Sequence, residues 1–188
     1  MKYLIAGLGN IGAEYHETRH NIGFMVAQRL ADKLSVSFEP DRLANKAVGK
    51  YRGRQLVIIQ PTTYMNLSGK SIRYHLNDQK IPLENLIVIT DDIAIPFGTL
   101  RMRGKGSDGG HNGLKDIQEV MGTQQYARIR FGVGSDFPKG TQVDYVLSRF
   151  SEEEYGLIPP LLDKCVDGIL SFISSGLDRT MNTFNTKS

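Results

Sequence analysis

Cysteine is almost absent from this chain: its 188 residues include one, Cys165. A single cysteine excludes an intramolecular disulfide framework and fits a reducing compartment. No apolar run approaches the roughly 20 residues a membrane-spanning helix requires. The first residues carry no signal-peptide pattern. These absences predict a cytoplasmic protein with no membrane partner. There is no internal repeat, no low-complexity tract and no linker, and the length suits one full core, so residues 1–188 read as a single domain. Neither sign of charge dominates: 23 Lys and Arg against 20 Asp and Glu leave a net charge of +3. That balance permits a polyanionic partner without requiring one, and the placement of charge matters more than its sum.

What is present is ordinary globular material, 40% hydrophobic and 23% charged. Tyr3-Leu4-Ile5-Ala6, Leu56-Val57-Ile58-Ile59 and Leu86-Ile87-Val88-Ile89-Thr90 are apolar without alternation, the pattern of strands buried on both faces. A hairpin joins residues 47–51 to 56–60 through Arg52-Gly53-Arg54-Gln55. Ile22, Met25, Val26, Leu30 and Leu34 fall at helical spacing. Shorter helices carry Ile72 and Leu76, then Leu114, Ile117, Val120 and Met121, the latter closing near Gly122. Ala127 to Val133 reads as another strand, with Arg128 and Arg130 on one face. Ser151-Glu152-Glu153-Glu154 is a capping box; Pro159-Pro160 is expected to interrupt its helix before a second one through Ile173. Residues 180–188 read as a frayed polar tail. The fold class is α/β: a mixed, mostly parallel twisted sheet with helices on both faces.

Several familiar motifs fail on inspection. Gly7-x-Gly9-x-x-Gly12 resembles a dinucleotide fingerprint, but no apolar stripe follows Gly12 to make the helix it needs. The next acidic strand end, Glu39, is 32 positions beyond Gly7, where roughly 20 to 25 are expected. His16-Glu17-x-x-His20 has zinc-protease spacing but lies between Gly12 and Gly23 with polar flanks, so the two histidines do not share a helix face. Gly69-Lys70-Ser71 ends like a phosphate loop, yet the loop's first glycine would have to be Tyr64. A nicotinamide cofactor and a metal are therefore not expected.

Ligands of open α/β sheets bind beyond the carboxyl ends of the parallel strands. Asn10 follows the first strand, Asn66 the strand through Gln60, and Asp91 the strand through Thr90; Asn112 opens a helix after the glycine-rich loop, and His20 sits in a polar loop. Singly, the asparagines read equally well as turn formers, Asp91 as a cap and His20 as a solvated histidine. Converging on one rim, they suit hydrolysis. A neutral imidazole takes a proton from water, a carboxylate orients it, and uncharged amides donate to an oxyanion. No serine or cysteine occupies a nucleophile elbow, so direct attack by water is the simpler route. An RNA-binding module without catalysis is the competing class, and it would not need these five residues.

The chain resembles the bacterial peptidyl-tRNA hydrolase family along nearly its whole length. The resemblance is carried by Gly7-Leu8-Gly9-Asn10, Tyr15-x-x-Thr18-Arg19-His20-Asn21-Ile22-Gly23, the run Pro61-Thr62-Thr63-Tyr64-Met65-Asn66-Leu67-Ser68-Gly69, Asp91-Asp92, and Gly109-Gly110-His111-Asn112-Gly113-Leu114-Lys115. It implies a monomer without metal or nucleotide cofactor that cleaves the ester between a peptide and its tRNA, returning tRNA from stalled translation. It also implies that His20 is the catalytic base, Asp91 its orienting carboxylate, and Asn10 the residue that tells blocked from free aminoacyl groups. Asn66 and Asn112 would be substrate and water-positioning amides. Tyr15, Tyr64 and His111 would be further substrate contacts, with Met65 lining the cleft. Arg101 and Arg103 would meet tRNA phosphates, with Lys105 and Arg130 extending that patch. The chain departs from the family at Ile11, where proline is usual, at Ala94, where an acid is common, and at Ser107-Asp108 in the glycine-rich loop.

Overall fold

The computed structural model describes residues 1–185. Seven strands, β1 (Lys2–Gly7), β2 (Glu39–Asp41), β3 (Ala44–Tyr51), β4 (Arg54–Pro61), β5 (Leu86–Asp92), β6 (Leu100–Arg103) and β7 (Ala127–Gly132), form one sheet in the order β2-β3-β4-β1-β5-β7-β6. The inner four, β4-β1-β5-β7, are parallel, and the outer strands pair antiparallel to them. Helices α1 (Ile22–Lys33), α5 (Glu152–Ser175) and α6 (Leu177–Phe184) supply one apolar core; α2 (Ser68–Gln79) and α3 (Asn112–Met121) cover the opposite face. A short helix, α4 (Gln142–Val146), stands at the carboxyl end of the sheet. Among the described residues no helix is long and apolar enough to cross a membrane.

The apolar runs become the parallel strands because both their faces are covered. Tyr3 and Ile5 join the core under α1 and α5, while Leu4 and Ala6 join the core under α2 and α3. The hairpin turns at Arg52-Gly53, both at positive φ (49° and 79°), as the twist of a tight two-residue connection demands.

The glycines of the N-terminal loop serve packing. Helix α1 crosses β1 so closely that a Cβ on Gly23 would stand 2.5 Å from Leu8 O and 2.6 Å from Ile89 O. A Cβ on Gly7 would fall on the carbonyl of Gly23. Both obstacles are backbone, so neither can yield cheaply. Gly23→Ala is expected to destabilise the protein by roughly 3 kcal/mol, seen as a lower denaturant midpoint at unchanged m; an unchanged midpoint would show that α1 has room to move.

Three features differ from the sequence expectation. Pro159 and Pro160 do not end the helix: α5 runs unbroken over Glu152–Ser175. The carbonyls these prolines cannot serve belong to Tyr155 and Gly156, both exposed, where a missing backbone donor costs least. The tail is ordered through residue 185: α6 buries Thr180 and Phe184, and the Asn185 amide brackets Met102, accepting from its N–H (2.8 Å) and donating to its C=O (2.9 Å). That amide closes part of the free edge of β6; residues 186–188 of the expected tail lie outside the described residues. Finally, β2 and α4 are too short and too polar to show in the periodicity.

Candidate active site

The sheet reverses direction of growth at β1, which lies between β4 and β5, and a cleft of about 260 Å³ opens over their carboxyl ends. Asn10, His20, Met65, Asn66, Asp91, His111, Asn112 and Arg130 line it. Asp91 is the last-but-one residue of β5 and only 3% exposed. His20 sits in the 3-10 turn Arg19–Asn21 that leads into α1, its Nδ1 lying 3.0 and 2.9 Å from the two oxygens of Asp91.

The protons can be assigned from the bonds. His111 caps α3: its Nδ1 accepts from the N–H groups of Gly113 (3.0 Å) and Leu114 (3.3 Å), so its proton is on Nε2. That N–H faces Asp91 Oδ1 at 2.8 Å and Thr90 Oγ1 at 2.6 Å. His20 Nδ1 likewise donates to the carboxylate. Nε2 of His20 is left as a lone pair with no partner among the described residues. Burial opposes charge on Asp91, but the two histidines beside it, by charge and by hydrogen bond, outweigh burial and hold its carboxyl well below the usual range. Burial also works against protonating His20; the neighbouring Asp91 outweighs it, and the imidazole titrates above the ordinary histidine value.

His20, Asp91 and His111 offer ligand atoms within 4.8 Å of one another, a grouping that could take a metal ion. Their donor nitrogens, however, already face carboxylate oxygens at hydrogen-bond distance, which satisfies both partners without an ion. His16 of the zinc-like spacing is 72% exposed on a turn and does not approach this group.

The amide Asn10 is held from two sides. Asn21 grips its backbone, accepting from Asn10 N–H (2.7 Å) and donating to Asn10 O (2.8 Å), while Asn10 Oδ1 accepts from Met65 N–H (2.6 Å). Asn10 Nδ2 remains available to the cleft. Tyr64, just before Met65, adopts φ 61° and ψ 159°, a strained conformation for a non-glycine residue, and so turns Met65 and Asn66 toward the cleft. Its own side chain is half exposed and does not line the cleft. Nor does Tyr15: its carbonyl accepts from Thr18 Oγ1 (2.9 Å) in the turn before His20. His111 lines the cleft, but both its nitrogens are engaged within the protein.

The basic residues divide. Arg101 and Arg103 on edge strand β6 pair in register with Arg130 and Arg128 of β7. Arg128 is buried, its guanidinium donating to the carbonyls of Gly106, Gln124 and Tyr126 and lying 4.0 Å from the Tyr126 ring centroid. Arg130 pairs with Asp92 (3.3 Å) and donates to Ser107 O (2.6 Å), tying the 104–110 loop to the cleft. Arg101, Arg103 and Lys105 lie outside the cleft and have no acidic partner among the described residues. The departures are accommodated: Ala94 N–H is bonded to Asp92 Oδ1 (2.8 Å), and Asp108 Oδ1 accepts from Gly110 N–H (2.8 Å) within the loop.

Residues not singled out from sequence complete the site. Arg19, buried beside His20, donates to Ser148 Oγ (2.5 Å), Arg149 O (2.7 Å) and Glu154 Oε1 (3.0 Å) and stacks 4.1 Å over Tyr145. It thereby fastens the segment whose residues Gln142, Val143, Val146 and Leu147 form one wall of the cleft.

The sequence profile of the family described as Peptidyl-tRNA hydrolase matches residues 4–188. The peptidyl-tRNA hydrolase of Cytophaga hutchinsonii is 57% identical over 187 residues, covering all of both chains, and that of Bacteroides fragilis 52% over the same span. Among solved structures, peptidyl-tRNA hydrolase from Acinetobacter baumannii superposes with a TM-score of 0.93 at 30% identity, over 99% of this chain and 95% of that one.

Proposed function

We propose, from the premise that this chain belongs to the peptidyl-tRNA hydrolase family and hydrolyses peptidyl-tRNA, that water activated by His20 performs the cleavage. His20 Nε2 takes a proton from a water in the cleft as the water oxygen attacks the ester carbonyl. Asp91, already ionised, stabilises the imidazolium and keeps Nδ1 protonated, so that the lone pair stays on Nε2. The tetrahedral oxyanion takes hydrogen bonds from uncharged amides, with Asn10 Nδ2, Asn66 and Asn112 as donors. The imidazolium then protonates the departing ribose oxygen. The C–O ester bond breaks, the peptide leaves as an acid and the tRNA as a free hydroxyl. The one observation that carries this reading is a buried carboxylate gripping Nδ1 of a histidine whose other nitrogen is free at a cleft.

In the same reading the chain acts as one cytoplasmic unit and as a monomer, engaging the acceptor end of tRNA and the nascent peptide. Tyr15 and Tyr64 border the turns that present His20 and Asn66, so their contribution runs through those turns. His111 acts by holding Asp91. Arg101, Arg103 and Lys105, unpaired on the edge strand and the following loop, meet phosphates without reading sequence.

The decisive assay incubates the protein, with EDTA present, with N-acetyl-aminoacyl-tRNA and with unblocked aminoacyl-tRNA. Release of the blocked amino acid alone is expected. No release at any enzyme concentration would overturn the reading, and EDTA-sensitive release would transfer the chemistry to a metal at His20, Asp91 and His111. Salt is expected to raise KM more than it lowers kcat, because exposed cation–phosphate contacts are screened. Arg101→Ala with Arg103→Ala should lower the slope of log KM against log salt by about 2; a KM indifferent to salt would remove the patch from the account.

A further inference from the structure

Strand β5 turns Leu86 and Val88 into the apolar core under α2 and α3, and the next residue on that face is Thr90. Thr90 is fully buried and does not line the cleft. Packing alone asks for a third hydrophobe there, because a buried hydroxyl is costly unless it is hydrogen-bonded. Its Oγ1 lies 2.6 Å from His111 Nε2 and donates to the main-chain oxygen of Asp91 at 3.3 Å. His111 Nδ1 accepts from Gly113 and Leu114, so Nε2 carries the imidazole proton and Thr90 Oγ1 accepts it. One N–H therefore faces two acceptors, Thr90 Oγ1 and Asp91 Oδ1, the latter at 2.8 Å. The same Asp91 Oδ1 also faces His20 Nδ1, at 3.0 Å.

We propose that Thr90 is a positioning residue of the hydrolysis: by taking a share of the His111 N–H, it fixes that imidazole and leaves the charge of Asp91 to His20. The inference rests on the hydrolase reading of the cleft. A carboxylate oxygen that accepts fully from one donor is a weaker acceptor for the next, so His111 and His20 compete at Oδ1. Thr90 eases that competition by dividing the His111 proton between a neutral oxygen and a charged one. Its own proton is spent on a main-chain carbonyl, so the hydroxyl adds no new donor to the carboxylate. The hydroxyl also anchors the ring: the His20 and His111 centroids stand 5.0 Å apart, so a turn of His111 is felt at His20. Removing the hydroxyl orphans neither neighbour, since the His111 N–H keeps Asp91 as its acceptor. The effect on rate is thereby separable from the effect on stability.

The test measures kcat and KM on N-acetyl-aminoacyl-tRNA for wild type, Thr90→Val and Thr90→Ser, with the denaturant midpoint of each. Thr90→Val has the shape of threonine without its hydroxyl. It is expected to lower kcat about fivefold, the worth of one ordinary hydrogen bond, while KM and the midpoint stay at their wild-type values. Thr90→Ser keeps the hydroxyl and is expected to keep the wild-type kcat. The spectroscopic signature is the proton on His20 Nδ1, which lies downfield while a charged oxygen accepts it and should move upfield in Thr90→Val. An unchanged kcat in Thr90→Val, an equal loss in Thr90→Ser, or a His20 proton that stays or moves downfield would overturn the proposal. So would a loss expressed in KM, which would make Thr90 a residue of substrate binding. Should Thr90→Val not fold, ¹⁵N NMR of wild type decides: a neutral His111 protonated on Nε2 supports the proposal, and one protonated on Nδ1 leaves Thr90 nothing to accept and overturns it. Wild type that releases no amino acid overturns the hydrolase reading itself, a result separate from any difference among the variants.

Discussion

Replacing His20 by alanine is expected to lower kcat about 10³-fold while tRNA binding stays within a few-fold of wild type. The large effect follows from position: among the described residues, Nε2 of His20 is the one imidazole nitrogen at the cleft left free by the hydrogen bonding of its surroundings. The small effect on binding follows from distance, because the unpaired arginines lie outside the cleft on β6. Single-turnover release from N-acetyl-aminoacyl-tRNA gives the first quantity, and filter retention of labelled tRNA the second. A variant that keeps a tenth or more of the wild-type rate would show that water needs no base here. Equal losses in rate and affinity would make His20 a binding residue.

Asp91→Asn is the second large effect, a fall in kcat of about 10² to 10⁴ with little change of shape. The amide has the size of the carboxylate but lacks its charge. It can accept one N–H where the carboxylate accepts from both His20 and His111, and turned over it donates to His20 Nδ1 and moves the imidazole proton to Nε2. That tautomer cannot take a proton from water. The pH profile adds a signature. In wild type the pull of Asp91 exceeds the effect of burial, so the acid limb of kcat/KM lies above the ordinary histidine range. In the variant burial acts alone, and what activity remains should have its limb shifted to lower pH. A limb that stays in place would mean that the titrating group is not His20. Stability follows the same pair. The contribution from Asp91, whose pKa is depressed, holds above the unfolded carboxyl pKa and is lost as pH falls. That from His20, whose pKa is raised, holds below the unfolded histidine pKa and is lost as pH rises. The pair therefore supports the fold most between those two ranges.

The parts of the site that were legible in the sequence are those fixed by local composition. β1, β4 and β5 show as unbroken apolar runs because parallel strands are covered on both faces, and each run ends where the cleft begins. Asn10, Asn66 and Asp91 could be placed because they lie at, or within about five residues of, the ends of those strands. Arg19 and Asn21 could not, although they flank His20. The partners of Arg19 are between 126 and 135 positions away, on a segment with no strong periodicity. Asn21 acts on a backbone turn rather than on a ligand. Alternation on β7 gave Arg128 and Arg130 a common face, but not that Arg128 is sealed beneath carbonyls and Arg130 tied to Asp92. Which member of a basic stripe is free depends on loops that fold over it. Proline in α5 misled for a related reason: its cost depends on whether the orphaned carbonyls reach water, a tertiary property.

The most direct test of this account is ¹⁵N NMR of the His20 side chain across pH, in wild type and in Asp91→Asn. Wild type is predicted to show Nδ1 protonated and Nε2 bare at neutral pH, titrating above the range of a free histidine, and the variant to titrate below it. A wild-type imidazole protonated on Nε2 when neutral, or one whose titration ignores Asp91, would contradict it.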